Sequence, residues 1–148
     1  MRRSSSLFAL LVLAAAACGG GPKLTSLRCR AVPCQDAEDP FKLLLSVDFD
    51  DPSGTLGAGA LELRLDGKTQ NAMALKDVFA AQGLDVKATK GTIKLDQDLF
   101  LDRVTQNKAF KSSVIATSGE GQQSNEPTLG FTLKVGGSPG VRADGEDP

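Results

Sequence analysis

The chain has 148 residues, seventeen basic and eighteen acidic, with three Cys, seven Phe and no His, Trp or Tyr. Without histidine there is no Ser-His-Asp or Cys-His catalysis, no imidazole metal ligand and no histidine pH switch. A formal charge of −1 supplies no basic field for nucleic acid, and the missing Trp and Tyr remove the usual stacking platforms for bases and sugars.

Residues 1–17 have the order of an export signal. Arg2 and Arg3 precede the apolar run Leu7 to Leu13, and four alanines, Ala14 to Ala17, lead into Cys18. The apolar run falls short of the roughly 20 residues a permanent membrane helix needs. The stretch LAAAACGGG resembles the lipobox of bacterial lipoproteins, although the Leu common three positions before the cysteine is Ala15 here and Leu13 lies two positions further back. The resemblance implies that residues 1–17 are removed and that Cys18 becomes an acylated first residue bearing three chains, palmitate among them. Ordinary cleavage after an A-x-A motif is the alternative. Gly19, in place of Asp, implies by the same resemblance the outer membrane of a Gram-negative cell. Each buried CH₂ contributes about 0.8 kcal/mol, so several chains anchor a domain stably. Losing Arg2 and Arg3 leaves fifteen basic against eighteen acidic residues, a net charge of −3, which discourages a second attachment to anionic lipid.

Residues 18–40 read as a tether containing Cys29 and Cys34 in the frame CRAVPC. Export places both thiols in an oxidising compartment, which predicts a disulfide. Two thiolates without histidine are too few for a zinc site, and the four-residue spacing does not match a redox-active pair.

From Phe41 the hydrophobic period becomes two. Phe41, Leu43, Leu45, Val47 and Phe49 share one face, with Leu44 the single exception; Leu61, Leu63 and Leu65 repeat the pattern, and so do Leu129, Phe131, Leu133 and Val135. Weaker strands are predicted at Thr92–Leu95, Leu99–Val104 and Lys111–Thr117, separated by turn signals such as Asp51-Pro52-Ser53-Gly54 and Asp66-Gly67. Leu75, Val78, Phe79 and Gln82 follow helical spacing, and Gly83 suits a left-handed helix end. The span 41–135 is similar to the Ig-like β-sandwich modules of bacterial surface lipoproteins, on the segments VDFDDPSGTL and SNEPTLGFTLKV. The expected fold is all-β: an Ig-like antiparallel sandwich of about seven strands with one short helix, a small barrel being the alternative. Residues 136–148 have almost no apolar content and read as a disordered tail.

Asp48, Asp50 and Asp51 form the densest acidic feature. Pro52 and Ser53 break the ligand order of a calcium loop, so the segment reads as a strand ending in an Asp-Pro turn whose carboxylates bond nearby amides. Asp96, Asp98 and Asp102 suggest a solvated strand face rather than a catalytic pair. Lys87, Lys90 and Lys94 are interleaved with Asp85 and Asp96 and carry little net field. No metal or other cofactor is implied. The expected function is therefore a non-catalytic, lipid-anchored envelope protein acting as an interaction or structural module, bound to the membrane through its acyl chains and to an envelope protein partner. An accessory lipoprotein that binds a small ligand or assists a secretion or envelope-assembly complex is the alternative, and a small carboxylate or Ser-Lys enzyme is a third.

Overall fold

A computed structural model describes residues 20–99 and 108–133. The alternating segments fold as strands: β2 (Lys42–Asp50), β3 (Ala60–Leu65) and β7 (Thr128–Leu133). The weaker segments extend beyond their sequence signals into β5 (Lys90–Asp98) and β6 (Lys108–Thr117). Two further strands, β1 (Lys23–Cys29) and β4 (Lys68–Ala74), lie where no alternation is visible. All pairings are antiparallel, and they build a three-stranded sheet ordered β1-β2-β5 and a four-stranded sheet ordered β4-β3-β6-β7.

The two inner faces meet in one core. Leu24, Leu43, Leu45, Val47 and Ile93 come from the first sheet, and Leu61, Leu63 and Val114 from the second; each is fully buried. The charged residues between them, Lys42 and Asp48 in β2 and Glu62 and Arg64 in β3, lie half-buried on the outer faces, which is why period two survives there, although Ser46 on the outer face of β2 is buried. Leu44 lies half-buried on the outer face. Asp66 and Gly67 join β3 to β4 with φ of 48° and 78°, the two left-handed residues that a tight hairpin turn requires.

The predicted helix is α1 (Leu75–Ala81), with Gly83 left-handed at φ 68° just beyond it. Leu75 and Phe79 are buried, and the Phe79 ring sits 5.3 Å from that of Phe49, tilted by 31°. The helix thereby carries the chain from β4 of one sheet to β5 of the other.

The expected division at Phe41 needs correction. Residues 18–40 are not simply a tether, because β1 pairs with β2 and buries Leu24 and Leu27 in the core. A bulge hides this from the sequence: the register shifts between Thr25 and Arg28, Ser26 takes φ 52°, and the two inward leucines stand three residues apart instead of two. The β-domain accordingly starts at Lys23. Of the predicted strand Leu99–Val104, only Leu99 is described; it is buried and donates its N–H to the Phe41 carbonyl at 2.7 Å. Residues 100–104, residues 1–17 and the tail at 136–148 lie outside the described residues.

Candidate interaction surface

At the end of β1 the chain turns through Cys29–Cys34, which are joined by a disulfide with Cα atoms 4.9 Å apart. Cys34 is buried and belongs to the core. Main-chain bonds on both sides tie the loop to β2: Arg30 N–H to Leu44 O at 2.8 Å, and Leu44 N–H to Cys34 O at 2.9 Å. Between the cysteines Val32 stands fully exposed, followed by Pro33 across a cis peptide bond. An apolar side chain held in water at the tip of a cross-linked loop gains nothing from its own fold.

The following segment is also fixed. Gln35 donates its side-chain amide to Pro40 O at 2.6 Å, and Asp36 accepts the N–H of Glu38 at 2.8 Å and that of Asp39 at 3.3 Å. The Glu38 amide holds the Asp36 carboxyl below the usual carboxylate range; desolvation opposes this, and the Asp39 amide and Lys42 assist. An open cleft of about 790 Å³ lies between the two loops, with Val32, Pro33, Asp36, Glu38, Pro40 and Leu44 among its walls. Leu44, the one residue off the alternating pattern of β2, is thus apolar where this cleft needs a floor.

Arg30 lines a second, smaller depression of about 380 Å³ beside α1. Its guanidinium donates to the Leu45 carbonyl at 2.9 Å and pairs with Asp96. Nothing in the sequence singles out Arg30 or Val32 beyond their place in the disulfide frame, and Leu44 stands out only as the break in alternation.

The structure separates the acidic residues of the DDPSG turn. Asp48 bonds Arg28 at 2.8 and 3.1 Å and accepts the Thr92 hydroxyl at 2.6 Å; Arg28 first and Thr92 second hold its carboxyl low. Asp50 faces Lys90 at 3.2 Å. Asp51 is buried and turned inward, accepting the amides of Thr55 and Leu56, both at 2.7 Å, and the Ser53 hydroxyl at 2.5 Å. Burial pushes the Asp51 carboxyl up, but the Ser53 hydroxyl and the amides of Leu56, Thr55 and Ser53 outweigh it and hold it below its ordinary value. The three carboxylates therefore serve three separate sets of protein donors, as an Asp-Pro turn does. Among the described residues no three Cys, Asp or Glu side chains converge as a metal site.

Lys87, Lys90 and Lys94 are exposed, as is Asp98, and Asp102 lies outside the described residues. Cys18, the expected acylation site, also lies outside them. No family model matches the chain, and no curated protein is significantly similar to it.

Proposed function

We propose that the chain is a non-catalytic, lipid-anchored envelope module that holds a protein partner at its disulfide-closed loop. The observation that carries this reading is the placement of β1. Four residues, Gly19 to Pro22, separate Cys18 from the first strand, a reach of at most about 18 Å between Cys18 and Lys23. The strand then runs its seven residues, at most about 20 Å with the bulge at Ser26, and ends at Cys29. An acyl anchor at Cys18 puts the Lys23 end of the sandwich near the bilayer and the Val32 tip at the far end of the same strand. The tip is rigid, apolar and bordered by an open cleft, which suits protein contact with little ordering cost.

Two measurements test the proposal. Radiolabelled palmitate enters the wild-type chain but not Cys18→Ala, and the variant leaves the membrane fraction. A photo-crosslinking residue at position 32, in intact cells, yields one discrete adduct that is absent when the same residue replaces Lys68. Equal labelling of both proteins rejects the anchor, and the absence of any adduct at position 32 rejects the loop as the contact.

A further inference from the structure

The two sheets have four free edges among the described residues, and three of them carry a device against further pairing. On β1 the Asn125 side chain accepts the Leu24 N–H at 2.8 Å and donates to the Leu24 carbonyl at 2.7 Å, and a bulge follows. On β5 the Gln82 side chain does the same to Lys94, at 2.9 and 2.7 Å. The β4 edge is broken by a register shift opposite Leu63 and Arg64 and is lined by Lys68, Thr69 and Gln70. Bulges, lysines and occupied main-chain groups are the usual means of keeping an edge single.

Among the described residues the β7 edge has none of these. Its sequence, TLGFTL, is uncharged, and its register with β6 runs without a shift. Val114 donates its N–H to Pro127 O, so in this antiparallel ladder Leu129 and Phe131 are the residues bonded to β6. The N–H and C=O groups of Thr128, Gly130 and Thr132 then point to the open side. Among the described residues nothing explains Gly130: its φ is not positive, and a Cβ there would meet no described atom within 4 Å. A glycine inside a strand that its own fold does not require marks the approach of another backbone.

We propose that β7 pairs antiparallel with β7 of a second copy, around a twofold axis at Gly130. The strand is close to a palindrome about that residue, Thr-Leu-Gly-Phe-Thr. The twofold register sets Thr128 against Thr132 of the other copy in both directions and Leu129 against Phe131. Thr–Thr and aliphatic–aromatic cross-strand pairs are favourable, and no like charges meet. Each narrow pair exchanges two main-chain bonds, and the closed symmetry ends the assembly at two chains. Leu129 and Phe131 are only half-buried in the single chain, and the second strand covers them further. This pairing is independent of the loop contact proposed above and uses a different edge of the sandwich.

The test is sedimentation equilibrium of the full chain in density-matched detergent. The wild type is expected to move from one to two chain masses as concentration rises. Gly130→Lys places two ammonium groups opposite each other at the axis and weakens association about tenfold or more, with a thermal midpoint equal to that of the wild type at concentrations where both are single chains. Ala72→Lys, on the β4 edge, leaves association intact. A wild type that stays at one chain mass throughout overturns the proposal, as does Gly130→Lys associating like the wild type. Capture of a different protein alone by Gly130→Cys under mild oxidation also overturns it, and assigns the edge to a foreign strand.

Discussion

Asp51 shows how a single carboxylate can hold a turn. It lies inside the protein, yet it accepts three main-chain amides and a hydroxyl, so its charge is stabilised by fixed donors rather than by water. Its carboxyl titrates lower in the folded chain than in the unfolded one, where the value is about 3.9. The stabilisation is therefore complete above the unfolded value and is lost as pH falls through the folded one. Asp51→Ala, which leaves the buried Leu56 amide without its acceptor, should cost about 3 kcal/mol in urea unfolding at pH 7. Asp51→Asn should cost less and should flatten the loss of stability that the wild type shows below about pH 4. The Asp-Pro turn was legible in DDPSG, since Asp in such positions bonds its own following backbone. Which of the three aspartates turns inward was not, because that depends on Thr55 and Leu56 folding back and on the Asp51 N–H reaching Thr89 O.

Single side-chain amides complete two elements of the three-stranded sheet. Gln82 leaves the end of α1 to act as one residue of a missing strand beside β5, and Asn125 does so beside β1 from the loop before β7. Gln82→Ala removes two hydrogen bonds at an exposed edge and should lower stability by about 1–2 kcal/mol. It should also make the protein aggregate on mild heating, followed by light scattering, because the freed Lys94 groups become a pairing template. The helix itself was legible from the spacing of Leu75, Val78 and Phe79, but Gln82 read as part of the same stripe. Its other role depends on where β5 passes, which no local pattern encodes. Strands β1 and β4 were illegible for two reasons. The bulge at Ser26 puts Leu24 and Leu27 out of step, and β4 is an edge strand whose KTQNAMA sequence buries little.

The whole molecule has one core shared by both sheets, and α1 seals it. Phe79 is fully buried against Phe49, so Phe79→Ala should cost about 3–5 kcal/mol. Loss is expected in a single transition by circular dichroism and calorimetry, since neither sheet keeps its inner face covered without the other. The absence of Trp and Tyr makes those the suitable probes. The sandwich was legible because three strands alternate cleanly and turns recur at short intervals. The interaction surface was not, because it is built from a loop tip, a cleft floor and an unguarded edge, and these exist only once seven strands have been ordered.

The position of β1 between the expected anchor and the disulfide loop has a mechanical meaning. In the proposed arrangement a partner gripping Val32 pulls against an anchor at Cys18, and β1 is the strand that links the two. The load runs along a backbone extended on either side of the Ser26 bulge, through a loop closed covalently at its base, so the slack to draw out is confined to that bulge. The other six strands stand beside this line of tension rather than within it. Because Leu24 and Leu27 of that strand and Cys34 of the loop sit in the core, a module built this way carries the pull into its hydrophobic core and shares it with β2 through their ladder.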